Sequence, residues 1–307
     1  MKYDIAVIII NYNSSSFTIN CVKSIIEKTG ENTSLQLVIV DNASQKKDYE
    51  SLKTYTDSLG SNSILIKSKI NTGFGGGNML GVNHCQAKYI GFVNNDTIFQ
   101  NDCLNKLKVF MDSNSKIGVC GPQAFKENGE LLSTIDHFAS LPREIIGRWF
   151  LELINHKKYP ARKKLYTQPI KAQFVAGSFM FFRTSDFNEI GGFDTNIFLY
   201  YEETDLCKRL LKIGKTTFLF PQAKFTHFHG ASTKKSIDIK IELKISLLYV
   251  IRKHYGLFQY WILLLFFQVR YFFSALIKPK YFKLWLILIA QAPLSSSLKS
   301  KQKINNY

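Results

Sequence analysis

The first half of the chain alternates between short apolar runs and longer polar stretches. Four runs have the length and β-branched composition of buried parallel strands: IAVIII (5–10), LQLVIV (35–40), SILIK (63–67) and YIGFV (89–93). The stretches between them predict helices, and serines at 14–16 offer N-caps for the first one. Strands that alternate with helices in this way predict an open α/β sheet.

Polar clusters follow three of these runs, namely Asn11-Tyr12-Asn13, Asp41-Asn42 and Asn94-Asn95-Asp96. Each cluster alone has an ordinary explanation as a turn, because Asn and Asp favour turns. In open α/β sheets, however, ligands bind outside the carboxyl ends of the strands, so three successive clusters predict one shared crevice. Asp41 can accept hydrogen bonds from a base imide or a ribose hydroxyl. Asp96 can bind a hard divalent cation, which would neutralise a diphosphate.

The glycine-rich segment GFGGGN (73–78) has some likeness to a dinucleotide-binding fingerprint. That fingerprint should follow the first strand, whereas this segment follows the third and has the wrong spacing. We interpret its glycines as allowing close approach of the backbone to a ligand or to another segment. A tight loop before a helix explains them equally well.

The segment YYEETDLCKRLLKIG (200–214) has helical periodicity, and its first turn carries three carboxylates. Acidic residues there are favoured by the helix dipole, which is the plainer explanation. Glu203 falls on the apolar side of the helix, whereas Glu202 and Asp205 fall on other faces. A carboxylate in apolar surroundings can have a raised pKa and act as a general base.

The segment THFHG (226–230) places two histidines at alternate positions. In an extended strand they would share one face, where they could bind a metal. A buried histidine with a structural partner is the commoner case, and both interpretations remain open from the spacing.

From about residue 236 the pattern becomes purely helical. Its longest uncharged run covers 13 residues, 257–269, and ends at Arg270. A membrane-spanning helix needs about 20 apolar residues. We therefore predict helices that lie at a membrane interface or pack on the core, and not membrane spans.

The net charge of +17, from 40 basic and 23 acidic residues, implies anionic partners. The basic clusters after residue 140 alternate with apolar runs, which fits a membrane surface better than nucleic acid. The chain has no zinc-finger spacing and no RNP-like aromatic motif. A nucleic-acid-binding protein would also leave the strand-end acids unexplained.

Cysteine usage and the N-terminus indicate the compartment. The five cysteines form no CxxC pair, which favours free thiols in a reducing compartment. The N-terminal segment MKYDIAVIIINYN has an acid before a short apolar run, so it is not a signal peptide. We expect a cytoplasmic protein.

In sequence, the chain resembles the family 2 glycosyltransferases, particularly their bacterial rhamnosyltransferase-like branch. Six segments carry the resemblance, in this order: VIIINYNSS, VIVDNAS, NTGFGGGNMLGV, FVNNDT, VAGSFMFFRTSDFNEIGGFDTNIFLYYEETDLCKRLLKIG and THFHGAS. The resemblance implies a GT-A fold, a Rossmann-like α/β transferase domain for nucleotide diphosphate sugars, over residues 1–235. Residues 236–307 would form a helical, basic and apolar extension that associates with a membrane.

The resemblance also implies residue roles. Glu203 matches the catalytic base, and Glu202 could share that role. Asp96 matches the main carboxylate of the DxD-like metal position, where Asn94 replaces the first acid, and His227 matches a further metal ligand. Residues implied to bind the nucleotide sugar are Asn11, Tyr12, Asn13, Asp41, Asn42, Asn71, Gly73, Phe74, Gly75, Asn78, Asn94, Asn95, Gly177 and Ser178.

The implied activity is transfer of a sugar, with rhamnose as the candidate, from a dTDP- or UDP-sugar to a hydroxyl of a lipid-linked saccharide. The implied enzyme inverts the anomeric configuration, depends on Mn²⁺ or Mg²⁺ and serves cell-surface polysaccharide synthesis. We expect it on the inner face of the cytoplasmic membrane, without nucleic acid as a partner. The alternative is a nucleotide-sugar-binding protein of the same fold with impaired catalysis, which Asn94 keeps open.

Overall fold

A computed structural model of the chain describes residues 2–228 and 236–305. Its strands in chain order are β1 (Tyr3–Asn11), β2 (Leu35–Asn42), β3 (Ser63–Ser68), β4 (Ala87–Asn94), β5 (Thr97–Phe99), β6 (Ile117–Phe125), β7 (Ile135–Asp136), β8 (Ile170–Ala172), β9 (Phe174–Val175), β10 (Phe179–Arg183) and β11 (Thr216–His227). The four predicted strands are therefore confirmed as β1 to β4.

Helices separate these strands and dominate the C-terminal region. They are α1 (Ser15–Lys28), α2 (Lys46–Asp57), α3 (Gly73–Val82), α4 (Cys103–Asp112), α5 (Leu141–Ile145), α6 (Arg148–Ile154), α7 (Thr184–Glu189), α8 (Glu202–Lys212), α9 (Ile237–Ile277) and α10 (Phe282–Ile289). Short 3₁₀ turns follow at Pro279–Tyr281, Leu294–Ser296 and Leu298–Lys301.

The main sheet has the order β3-β2-β1-β4-β10-β6-β11-β5, and β8 pairs with β11. Strands β1 to β4 are mutually parallel, whereas β10 runs antiparallel between β4 and β6. In this register Asn11 lies beside Asp41, and Ile10 lies beside Asn94. The polar ends of three strands therefore meet at one edge of the sheet, as the sequence predicted.

Both faces of the sheet are covered, which explains why its strands are almost continuously apolar. Along β1, Ile5, Val7 and Ile9 pack into the cluster beneath α1 and α4, whereas Ile8 packs into the cluster on the opposite face. A third cluster belongs to α9 and α10 and includes Ala139. The central strand is thus held rigidly, with its polar end at the edge of the core.

The helix α9 is broken at Gly256, where φ is 82° and ψ is −176°. After this break its buried stripe includes Tyr260, Leu264, Phe267 and Tyr271. The opposite stripe is exposed and also apolar: Phe258, Trp261, Leu265, Val269, Phe273 and Leu276. Among the described residues, α9 is the helix long and apolar enough to cross a membrane, and 33% of its most apolar window is buried.

Two sequence patterns give a wrong local prediction. KTTFLFP and AKFTHFHG have the composition of two short strands around Pro221, but β11 continues through this proline with a register shift between Phe220 and Lys224. REIIGRWFLELI has the spacing of one amphipathic helix, but it is divided between α5 and α6, because Gly147 lies between them with φ at 118°. The second histidine of THFHG, His229, lies outside the described residues.

Candidate functional site

A cleft of about 400 Å³ opens at the carboxyl ends of β1, β2 and β4. This volume is within the range of small-molecule sites. Eight residues predicted to bind a nucleotide sugar line it: Tyr12, Asn42, Asn71, Gly73, Phe74, Asn78, Asn94 and Asn95. The structure therefore brings residues from four strand-end segments to one cavity.

Asn11 and Asp41 lie behind the cleft, fully buried, and are not part of its wall. Asn11 Nδ2 donates hydrogen bonds to Asp41 Oδ1 at 3.0 Å and to Asp48 Oδ2 at 2.8 Å. Asp41 Oδ2 accepts a hydrogen bond from the Ser44 N–H at 3.2 Å. The pair therefore fixes the loop after β2, and the nucleobase contact expected of Asp41 stays a prediction.

The loop after β1 is tied to its neighbours by two asparagines. Asn13, whose φ is 52°, donates its N–H to the Ser44 hydroxyl at 2.9 Å. Asn95 Nδ2 donates to the hydroxyls of Ser14 at 2.7 Å and Thr18 at 2.9 Å. Asn95 lines the cleft and Asn13 borders it, and their hydrogen bonds to protein groups fix the shape of the loop after β1.

Asn42 holds the glycine-rich segment against β2. Its Nδ2 donates to Asn71 Oδ1 and to the Gly73 carbonyl, both at 3.1 Å. Gly73 has φ of 77°, and a methyl group there would lie 2.2 Å from the Phe198 carbonyl oxygen. Only glycine allows this approach. The interpretation as close approach to another segment is thus correct at Gly73.

The same segment then enters α3. The Phe74 N–H donates to the Phe198 carbonyl at 2.9 Å, and the Phe74 carbonyl accepts from Asn78 Nδ2 at 3.1 Å. Gly75 packs against Phe193, because a methyl group on Gly75 would lie 3.3 Å from Phe193 Cβ. These contacts join the glycine-rich turn to the loop that precedes α8.

Asp96, which is buried, and His227, which is partly buried, form a pair beside the cleft. Asp96 is 3% exposed, and His227 Nε2 lies 3.1 Å from its Oδ1. The pairing of β5 with β11 sets this contact, because His227 lies opposite Thr97. Within residues 2–228 and 236–305, no group of three or more His, Cys, Asp or Glu side chains could hold a metal. The two predicted metal ligands are therefore adjacent but form a pair only.

Glu203 is joined to the strand end at β4 through two successive residues. The Gly177 N–H donates to Glu203 Oε1 at 3.0 Å. The next residue, Ser178, accepts the Asn94 N–H on its carbonyl at 2.9 Å. A methyl group on Gly177 would lie 2.6 Å from that carboxylate oxygen, so a larger residue at this position would displace the Glu203 side chain.

Burial perturbs the carboxylates of α8 unequally. Burial and the charge of Glu203 raise the pKa of Glu202 well above its ordinary value. Burial also raises the pKa of Glu203, although its own N–H and that of Gly177 oppose this. Burial alone would raise the pKa of Asp205, but His254, Arg209 and Lys253 outweigh it, so that pKa is lowered.

The expectation that Glu203 points toward the buried side of the helix, with Glu202 and Asp205 on other faces, was wrong. Glu202 and Asp205 are 4% and 1% exposed, whereas Glu203 is partly exposed. Asp205 is held by Arg209 at 2.6 Å and His254 at 2.8 Å, and the partner His254 comes from α9. Tertiary packing thus buries Glu202 and Asp205 and leaves Glu203 partly exposed.

Two tyrosines in left-handed conformations precede these carboxylates. Tyr200 and Tyr201 have φ of 73° and 71°, which costs roughly 1–3 kcal/mol each for residues with a side chain. Arg143 lies over the Tyr201 ring at 5.8 Å and bonds to Asp136 at 3.0 Å. Strain of this kind persists only where the surrounding structure imposes it, and the conformation of these two residues sets the direction in which α8 begins.

Eight cleft-lining residues were not among those predicted. Three lie at or beside the predicted strand ends, namely Ile10, Ser14 and Val93, and five come from more distant segments, namely Phe198, Leu199, Ile239, Leu298 and Gln302. Of these five, the first two belong to the apolar run IFLYY, whose position before the acids was a usable signal. The other three come from the C-terminal region, and no local pattern relates them to the strand ends.

Comparison with known proteins gives a consistent result. The family model described as Glycosyl transferase family 2 matches residues 6–191. Rhamnosyltransferase WbbL of Escherichia coli (strain K12) is 29% identical over 192 residues, which cover 59% of this chain and 71% of that protein. O-antigen chain rhamnosyltransferase WbaN of Salmonella anatum is 23% identical, covering 66% of this chain and 59% of that protein.

Solved structures agree in fold at low identity. A mannosyltransferase from Pyrobaculum calidifontis, in complex with GDP-Man and Mn²⁺, matches with a TM-score of 0.58 at 13% identity, over 96% of this chain and 87% of that one. GalNAc-T7 with UDP, GalNAc and Mn²⁺ matches with a TM-score of 0.60 at 14% identity, over 81% of this chain and 48% of that one. At this identity the likeness establishes the fold alone.

Proposed function

The chain belongs to glycosyl transferase family 2, and from this premise we propose that it transfers a sugar from a nucleotide diphosphate sugar to a saccharide hydroxyl. Its parallel-dominated sheet with C-terminal helices is the GT-A fold of the structures it resembles, so the predicted fold is confirmed. The resemblance to bacterial rhamnosyltransferases is confirmed as well. Rhamnose, from a dTDP- or UDP-linked donor, is our proposal for the sugar.

The observation that carries this proposal is the hydrogen bond from Gly177 to Glu203, made next to the β4 end. Asn94 and Asn95 line the cleft there, on the side where a diphosphate would lie. Glu203, partly exposed and with a raised pKa, would accept the proton of the acceptor hydroxyl as that oxygen attacks the anomeric carbon. A single displacement of this kind inverts the configuration.

A divalent cation, Mn²⁺ or Mg²⁺, is proposed as the cofactor. Asp96 Oδ1 is buried and accepts no hydrogen bond from the described residues, although His227 Nε2 lies 3.1 Å away. A buried carboxylate oxygen that accepts no hydrogen bond is suited to bind a cation, and His227 could supply a second ligand to the same cation. When bound with donor phosphates, the cation would stabilise charge on the diphosphate leaving group.

The acceptor and location are proposed from the surface of α9. Its exposed stripe of large apolar side chains would lie in a membrane interface, with the nearby lysines and arginines on anionic lipid headgroups. The buried stripe packs on the protein, which favours a helix lying along the membrane over one crossing it. An enzyme held on the inner face of the cytoplasmic membrane would meet a lipid-linked saccharide.

Turnover of a panel of UDP-, dTDP- and GDP-sugars, with Mn²⁺, Mg²⁺ or EDTA, tests the activity. We expect Glu203→Gln to abolish transfer and keep donor binding, and Asp96→Ala to weaken metal-dependent donor binding. Glu50→Gln, an exposed carboxylate on α2, is the matched control. Full transfer by Glu203→Gln would refute the base assignment. Donor binding by the wild type without any transfer would favour the impaired binding protein.

Co-sedimentation with anionic liposomes tests the membrane proposal. Replacing Leu265, which is 61% exposed on the apolar stripe, with Asp should reduce binding. Val109→Asp, at a 59% exposed apolar position on α4, should not. Equal sedimentation of both variants and the wild type would contradict docking through α9.

A further inference from the structure

The segment 297–305 contributes Leu298 and Gln302 to the cleft wall and is hydrogen-bonded to loops that are distant in the chain. At one loop, Lys299 Nζ donates to the Thr195 carbonyl at 2.6 Å. At two others, the Asn305 N–H donates to the Lys69 carbonyl at 2.7 Å, and its side-chain amide donates to the Ser44 carbonyl at 2.8 Å. We call residues 297–305 the C-terminal strap.

A buried carboxylate on α9 fastens the start of the strap. Glu242 is 1% exposed, and its Oε1 accepts the Ser297 hydroxyl at 2.9 Å while its Oε2 accepts the Leu298 N–H at 2.7 Å. A buried carboxylate is costly unless hydrogen bonds satisfy it, and these bonds exist only while the strap is in place. Glu242 therefore stabilises the strap in its observed position.

Between these anchors, Leu298 and Gln302 form part of the cleft wall together with Ile239 of α9. They face a cavity whose other walls include Asn42 and Asn71. The anchor of Asn305 on Ser44 and Lys69 lies two residues from each of these asparagines. Gln302, three residues before Asn305, therefore lies on the side of the cleft formed by the ends of β2 and β3, where the sequence predicts that Asp41 and Asn42 contact the nucleotide.

We propose that Leu298 and Gln302, the two strap residues that line the cleft, are part of the donor-binding site and that Gln302 contacts the nucleoside of the bound donor. Gln302 Nε2 donates one hydrogen bond to the Leu298 carbonyl at 2.9 Å, and a carboxamide has a second N–H and an acceptor oxygen with which to bind a base or a ribose. Leu298 covers the ligand on the apolar side and limits access of water. This inference rests on the proposed transfer from a nucleotide sugar and adds a residue that selects the donor.

The test is calorimetric titration of full-length protein with UDP, dTDP and GDP, in the presence of Mn²⁺. Gln302→Ala should raise the Kd of the preferred nucleotide about 5- to 10-fold, the loss expected for one hydrogen bond in a cleft. Asn305→Ala, which releases one anchor, should raise it less. Ile304→Ala is the control on the same strap, because that side chain is 65% exposed.

The outcomes separate the inference from the function on which it rests. A wild type that binds none of the three nucleotides overturns both. A wild type that binds while Gln302→Ala binds equally well overturns the strap inference alone. Tighter binding by either variant also overturns it, because the strap would then block the site. Melting temperatures equal to that of the wild type exclude unfolding as the cause of weaker binding.

Discussion

Gly177 controls the position of Glu203, so Gly177→Ala should damage catalysis without touching the carboxylate itself. The added methyl would lie 2.6 Å from Glu203 Oε1 and 3.2 Å from its Cδ and Cγ. Contacts between non-bonded heavy atoms are optimal at about 3.5–4.0 Å, so the side chain must move by about 1 Å. The 3.0 Å hydrogen bond from the Gly177 N–H would be lost or distorted by that movement.

The size of the effect follows from the role proposed for Glu203. A misplacement of about 1 Å can cost about 100-fold in rate, and a general base contributes about 10²–10⁴-fold in total. We therefore expect kcat to fall about 100-fold in Gly177→Ala, with the donor Kd within about twofold of the wild type. Losing an N–H donor to the carboxylate should also raise the pKa of Glu203 further, so the acid limb of the pH–rate profile should move to higher pH.

Steady-state transfer over a range of pH, together with donor titration, measures both expectations. Gly91→Ala is the matched control, because it adds a methyl to a buried glycine of β4 whose nearest contacts would be ordinary, at 3.6 Å. Wild-type kcat and pH profile in Gly177→Ala would refute the reasoning. A loss of activity shared equally by Gly91→Ala would assign it to packing instead of to Glu203.

Three further predictions concern stability. Burial raises the pKa of Glu202 in the folded protein above its ordinary value near 4.5, so the wild type loses stability as the pH rises from 4.5 through the folded pKa. Glu202→Gln should therefore have a higher melting temperature than the wild type at pH 8, and the difference should be much smaller at pH 4.5. The pKa of Asp205 is lowered in the folded protein, so the stability that its ionised form contributes is present above pH 3.8 and is lost as the pH falls further. Asp205→Asn should reduce the free energy of unfolding, measured in urea, by about 3–5 kcal/mol at pH 7 and by less at pH 3. Gly73→Ala should destabilise more than Gly129→Ala, because both have positive φ but only Gly73 would meet a neighbour, at 2.2 Å; equal urea midpoints would contradict this.

Much of the site was accessible from local sequence because strand ends are local features. Period, composition and turn residues located β1, β2 and β4, and a parallel sheet necessarily brings their carboxyl ends to one edge. The helix at Glu202–Lys212 followed in the same way from its apolar spacing. These inferences needed no knowledge of which distant segments meet.

Burial of individual acids was harder to predict, because it depends on segments remote in the chain. Asp205 is polar and lies on an apparently solvated face, yet α9 covers it with His254, 49 residues later. Asp41 stands at a strand end, yet the loop at Ser44 and Asp48 closes around it through Asn11. Helical periodicity describes one helix, and says nothing about what packs on its far side.

The amino-acid sequence by itself determined the α/β class and the polar strand ends that form the crevice, because spacing and side-chain chemistry are local properties. Only the tertiary structure decided that Gly177 meets Glu203 and that Asn305 reaches Ser44 across 261 residues. Such contacts arise when separately folded segments pack together, and they leave no periodic signal in the chain. The polar floor of the cleft was therefore predictable, whereas its C-terminal wall was not.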